Sequence, residues 1–193
     1  MTDIWTGQTI VTTERLVLRA FRRDDLPHYE ALGRDPVVMR YLGGLWSQEK
    51  TRQAARTANK SLLERGYGFL AVERRSDGAF LGVAGLSVEQ WYPGDLQVGW
   101  RLFQQYWGQG YASEAGLAWL DLAFMHTRHD RIIAMADTPN DRSLAVMRRL
   151  GMVPDHMARL RDGDEEFDAT IFVMTRTAWT RRRTERIDPF TRF

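Results

Sequence analysis

Cysteine is absent from the 193 residues, and lysine is almost absent, with Lys50 and Lys60 its only positions. The first absence excludes disulfides, thiolate zinc sites and a cysteine nucleophile. Neither lysine falls in a G-x-x-x-x-G-K-[ST] phosphate loop, and no G-x-S-x-G serine turn occurs. The four histidines (His28, His126, His129, His156) are scattered. His126 and His129 could share a helix face but have no evident third ligand, so no metal is expected. No apolar run approaches the roughly 18 residues of a membrane span. The opening MTDIWTGQTI lacks the basic start and apolar stretch of a secretion signal. No membrane partner and a cytoplasmic location are therefore the expectations.

What is present is ordinary for a soluble globular chain, 44% hydrophobic and 27% charged, and long enough for one proper core. The net charge of +2 is unevenly spread: residues 181–193, RRRTERIDPFTRF, hold five arginines against Glu185 and Asp188. Basicity confined to a tail does not make a nucleic-acid surface, so nucleic acid is not expected as a partner. A tail of this kind is solvated or packs on a neighbouring subunit, which leaves a homodimer open.

Along the chain, TERLVLRAF (Thr13–Phe21) alternates as a strand does. A short helix follows with Asp24 as its cap and Pro27 in its first turn. LGGLW is a glycine-marked loop, and Ser47 caps a polar helix that stops at Gly66. YGFLAVERR and AFLGVAGLSVEQ are strands joined by the turn SDG, and LQVGWRL is a third. The segment Ala112–Met125 is apolar nearly all round, which requires a helix covered on most sides. RIIAMAD is a buried strand, and PNDRSLAVMRRLG an amphipathic helix capped by Asn140 or Asp141 and ended by Gly151. Met157–Arg161 and Ala169–Thr175 are closing strands around DGDEE. The order β α α β β β α β α β β implies an α/β domain: a mixed sheet of about seven strands with helices on both faces.

YWGQGYASEA, Tyr106–Ala115, sets Gly108, Gly110 and Ala112 at alternate positions where strand LQVGWRL turns into the apolar helix. Small residues there leave backbone N–H groups uncovered, and the helix start adds partial positive charge. The combination suits a pyrophosphate at a strand's carboxyl end, where α/β sheets usually bind ligands. The turn alone is also compatible with tight packing. It matches the dinucleotide pattern G-x-G-x-x-G only in part, because Ser113 replaces the third glycine.

TERLVLRAF, FLGVAGL, VGWRLFQQYWGQGYASEA and PNDRSLAVMRRLGM, in that order and spacing, resemble the GNAT superfamily of N-acetyltransferases. Within it they are most similar to the RimJ/RimL-type branch, which acetylates ribosomal-protein N-termini. TIFVMTRTAW is similar to the family's last strand. The resemblance implies a mostly antiparallel central sheet. It also implies residues 1–180 as one acyl-CoA N-acyltransferase domain, with 181–193 as the basic tail and acetyl-CoA as co-substrate. The backbone of Trp107, Gly108, Gln109, Gly110, Tyr111 and Ala112 would hold the pyrophosphate. The strand carrying Val98, Trp100 and Leu102 would pair with the pantetheine arm, and Asn140 and Ser143 would face it from the next helix.

Two departures bear on mechanism. Met147 stands where many members have a tyrosine acid, and Met135 where some have a glutamate base. Ser143 then becomes the donor to the departing sulfur. Glu89 and Asp137, at strand ends, become the candidate bases. The acceptor amine, a protein N-terminus or a small molecule, would be walled by Trp46, Trp91 and Tyr92, and Glu89 or Asp95 would suit its charge. Three readings remain open: a direct N-acetyltransferase, an acyl-CoA-binding protein of the same fold without catalysis, and a dinucleotide-dependent oxidoreductase.

Overall fold

Apolar alternation in the strands and one nearly all-apolar helix generate a layered arrangement in the computed structural model, which describes residues 4–187. The strands are β1 (Thr9–Thr12), β2 (Leu16–Arg19), β3 (Phe69–Arg74), β4 (Phe80–Ser87), β5 (Leu96–Leu102), β6 (Arg131–Asp137), β7 (Val153–Asp162) and β8 (Glu165–Thr175). The helices are α1 (Leu26–Arg34), α2 (Gln48–Arg65), α3 (Tyr111–His126), α4 (Asp141–Leu150) and α5 (Arg176–Ile187). One open sheet runs in the order β1-β2-β3-β4-β5-β6-β8-β7. Every neighbouring pair is antiparallel except β5 with β6.

The eighth strand comes from the N-terminus. β1 precedes the expected strand Thr13–Phe21, of which Leu16–Arg19 forms β2, and the two are joined by a turn in which the Thr13 N–H donates to the Leu16 carbonyl at 2.9 Å. Asp24 does not cap α1. Asp25 holds that position, and its carboxylate is drawn to the backbone N–H of Arg22 and the guanidinium of Arg19. Ser47 does cap α2, accepting from the Lys50 N–H at 3.1 Å.

The sheet is covered on both faces because β5 alternates. Trp100 points to the side where Gly116 of α3 and Leu150 of α4 pack together, and Arg101 points to the side of Tyr29 on α1. Helix α3 is buried along Ala115, Trp119, Leu120, Ala123 and Phe124. Its far side meets α5, where Trp179 stacks on Phe124 at 5.3 Å and donates its indole N–H to Asp121 at 2.6 Å. Full burial of a large side chain is worth about 1.5–3 kcal/mol, so α5 is anchored to the core through Trp179. Past residue 180, the chain continues as helix to Ile187, with Arg182 lying against Gly151. Residues 188–193 of the expected tail lie outside the described residues.

The site is positioned by a break in the sheet. Strands β5 and β6 pair only at Leu96–Ile132 and Gln97–Ile133. From Val98 onward β5 remains paired to β4 alone, and β6 runs on to Asp137 paired to β8 alone. Two strands that stop pairing but keep going must diverge, and a wedge opens between them.

Candidate active site

The wedge is the floor of a cleft of about 2050 Å³. That is about twice the ~1,000 Å³ upper end of single small-molecule sites. Its floor is β5 from Val98 to Leu102 and the end of β6; one end is the turn into α3 and the start of α4.

The turn into α3 is built to leave backbone donors free. The N–H groups of Tyr111, Ala112 and Ser113 belong to the first helical turn and have no acceptor within the helix. Gly110, just before them, has φ +83°, a conformation that disfavours any residue with a Cβ. Above Gly108, also at positive φ, a Cβ would meet nothing within 4 Å. Gly108 therefore fills no packing need and leaves the backbone open to approach, whereas a Cβ on Gly110 would press on Arg15 Nη2 at 3.3 Å.

The turn is held by side chains behind it. Glu114 accepts from the Thr13 hydroxyl at 2.5 Å, the Arg15 N–H at 2.8 Å and the Arg15 guanidinium at 2.7 Å. Burial opposes its charge, but those three bonds outweigh burial and hold the carboxyl below the usual carboxylate range. Arg15 also donates to the Gln109 carbonyl at 2.9 Å. Trp107 donates its indole N–H to the Leu102 carbonyl at 2.8 Å, with the Arg142 guanidinium 4.8 Å from its ring. The structural requirements for a pyrophosphate are met: free N–H groups, a positive helix end and open glycine backbone.

The expected site residues divide into two groups. Val98, Trp100, Leu102, Trp107, Gly108, Gly110, Tyr111 and Ala112 line the cleft, as do Asp137, Asn140, Ser143, Trp46, Glu89 and Trp91. Gln109 shares the turn, but its side chain folds back to the Gln105 carbonyl. Tyr92 and Asp95 are turned elsewhere. The Tyr92 hydroxyl lies 2.8 Å from His156 Nε2, and Asp95 makes a two-pronged ion pair with Arg131 at 2.7 and 2.9 Å.

Within the cleft, Asn140 caps α4, its side-chain oxygen accepting from the Ser143 N–H at 3.2 Å. Glu89 accepts from the Ser87 hydroxyl at 2.6 Å. Asp137 is half-buried, and that burial pushes its carboxyl above the usual range. Trp91 is fixed by donating to the Arg161 carbonyl at 2.9 Å, with its ring edge-on to Phe167. Phe167, Tyr29 and Arg101 line the cleft, with Met39 against Arg101, without having been singled out from the sequence. The available signal was Arg101, a charge inside the otherwise apolar alternation of LQVGWRL.

An open, mostly antiparallel sheet that splits between its one parallel pair, with a glycine turn feeding a buried helix, defines an acyltransferase-type architecture. The chain belongs to the acetyltransferase (GNAT) domain family, whose model matches residues 15–153. It is 32% identical over 151 residues to the uncharacterized protein YkkB of Bacillus subtilis, covering 76% of this chain and 86% of that protein. Among solved structures it resembles a GNAT-family acetyltransferase from Bacillus anthracis, with a TM-score of 0.76 and 24% identity, over 86% of this chain and 98% of that one. It also resembles RimL, the ribosomal L7/L12 alpha-N-protein acetyltransferase, solved with coenzyme A. There the TM-score is 0.73 at 20% identity, over 89% of this chain and 99% of RimL.

Proposed function

We propose that the protein is an N-acetyltransferase that moves the acetyl group of acetyl-CoA directly to a primary amine, a protein N-terminal α-amine or a small-molecule amine. The observation that carries this reading is the course of β5. Its edge toward β6 loses its pairing partner from Val98 onward and leads to the free N–H groups that open α3. An extended pantetheine arm needs the first and a pyrophosphate the second. The likeness to RimL, which holds coenzyme A, supports the same reading and favours the RimJ/RimL-type branch.

Acetyl-CoA supplies an activated acyl group; the chain supplies position, charge and proton traffic. Holding both substrates in one cleft makes the attack effectively unimolecular. A backbone N–H on the unpaired stretch of β5 is the donor for negative charge developing on the carbonyl oxygen. Asp137 is the favoured base: its burial-raised carboxyl is better matched to a proton on nitrogen than an ordinary one. An α-amine has pKa about 8, so the demand on that base is mild. Ser143, on the first turn of α4, donates to the departing sulfur where Met147 cannot. Without cysteine, and with no serine hydrogen-bonded to a histidine among the described residues, a covalent acyl-enzyme has no nucleophile.

A second reading is favoured by Met147 and Met135: a protein of this fold that binds acyl-CoA without turnover. Free-thiol release from acetyl-CoA with a panel of amines separates the two. Amine-dependent release supports transfer, and tight binding with no release across the panel supports the second reading.

A further inference from the structure

Arg101 is only 8% exposed, yet it has no carboxylate partner among the described residues. One η nitrogen donates to the Tyr29 hydroxyl at 2.7 Å and the other to the weak acceptor Met39 Sδ at 3.3 Å. Its Nε–H is buried with no partner at all. Tyr29 does not neutralise it, because burial is the dominant influence on that phenol and keeps its pKa above the ordinary value. The carboxylates on the covering elements are committed elsewhere: Glu30 to Gln48 and Arg52, Asp35 to the N–H groups of Val37 and Val38, Glu49 to Arg56. A buried cation left in this state is costly.

The surroundings add to the imbalance. The Arg101 guanidinium stands 4.1 Å from the centre of the Trp46 ring, and Lys50 Nζ stands 5.1 Å from the same ring. Arg40, Lys50, Trp46 and Arg101 all line the cleft. The cleft lining also includes Glu89, with Asp162 and Glu165 at the β7–β8 turn; Glu166 beside them is already ion-paired with Arg159 and Arg161. The cleft is thus positive where α1 and α2 meet β5 and acidic toward β7 and β8.

We propose that the acceptor carries a carboxylate as well as its amine, and that Arg101, stacked on Trp46 with Lys50 beside it, binds that carboxylate. The acceptor class is an amino acid. A planar carboxylate matches the fork of an arginine, and its charge supplies the missing counter-ion. The acidic side of the cleft then draws the ammonium end, so the molecule enters in one orientation. This inference rests on the acetyltransferase reading for its chemistry, but the anion pocket stands on Arg101 alone.

The test follows thiol release from acetyl-CoA with each of the twenty L-amino acids and each matching amino-acid amide, in the wild type, Arg101→Met and Arg101→Lys. At least one amino acid should exceed its amide at least tenfold in kcat/KM. Arg101→Met should erase that ratio through KM, with acetyl-CoA affinity and Tm maintained; Arg101→Lys should keep part of it. Amides used as well as acids, transfer only to amines lacking a carboxylate, or a ratio that survives in Arg101→Met would overturn the proposal while leaving the acetyltransferase intact. If no compound releases thiol, saturation-transfer NMR with the same amino acids and coenzyme A decides. Binding lost in Arg101→Met would retain the carboxylate pocket and remove the transfer reading; absence of binding would remove the pocket.

Discussion

Among the described residues two arginines are buried, and they are treated in opposite ways. Arg19 is 2% exposed and four of its five N–H groups are taken: Asp25 accepts two at 2.7 and 2.8 Å, Glu73 a third at 2.8 Å and the Ala20 carbonyl another at 3.1 Å. Arg101, three strands away in the same sheet, has a phenol, a thioether and an unpaired Nε–H. The difference extends to their surroundings. Around Arg19, β2, β3 and the start of α1 are tied together by groups that satisfy one another. Along the cleft, polar groups are held in position but not consumed: the first N–H groups of α3, Arg101 and the burial-raised Asp137. Charge compensated from within the chain holds the fold together; charge left uncompensated is available to a ligand.

That contrast is sharpest where stability and function should separate. Arg19→Met should be the most damaging change to the fold, losing about 3–5 kcal/mol because Asp25 remains buried without its cation, while Glu73 keeps only Arg22. Urea unfolding measures it, and a loss below 1 kcal/mol would erase the distinction between the two sites. Asp137→Asn should lower turnover about 100-fold as the base is lost, at the lower end of acid–base contributions because an α-amine is easily deprotonated. It also carries a stability sign. A carboxyl whose folded pKa is raised is destabilising when ionised, in full above the folded pKa. That penalty is relieved as pH falls to the ordinary carboxylate value. Asp137→Asn should therefore stabilise at neutral pH and lose that advantage in acid; pH-dependent thermal unfolding reads the sign.

Ser143→Ala should lower turnover roughly 10- to 100-fold, about 1.4–2.7 kcal/mol in the transition state, with acetyl-CoA affinity little changed. An unimpaired variant would assign the sulfur's proton to water instead. Gly110→Val, which forces a β-branched residue into φ +83° and presses its Cβ on Arg15 behind the turn, should distort the glycine turn and weaken acetyl-CoA binding at least tenfold, about 1.4 kcal/mol. Calorimetry on the folded variant checks it, and unchanged affinity would remove the phosphate-cradle assignment.

The local half of this picture was legible in the sequence. Ser47 before a polar run, small residues at the mouth of an apolar helix and PNDRS before an amphipathic one each act within a few residues. The α2 cap, the start of α3 and the α4 cap therefore fall where expected. The additional strand Thr9–Thr12 was missed because TTERL offers no glycine or proline to mark the turn that follows it. Asp95 and Tyr92 looked like acceptor residues until pairing brought Arg131 and His156 beside them. Arg101 shows the limit most plainly: its neighbours Met39 and Tyr29 lie 62 and 72 residues away in the chain. An arginine's lack of a carboxylate partner becomes visible only once the fold has assembled its surroundings.

The most direct test of the central claim, direct acetyl transfer within one cleft, is the initial-rate pattern of thiol release at several fixed amine concentrations. It should be joined to intact-mass measurement of enzyme mixed with acetyl-CoA alone. Both substrates bound together predict intersecting reciprocal lines and no stoichiometric acetyl adduct. Parallel lines, with an adduct that added amine discharges, would contradict the account.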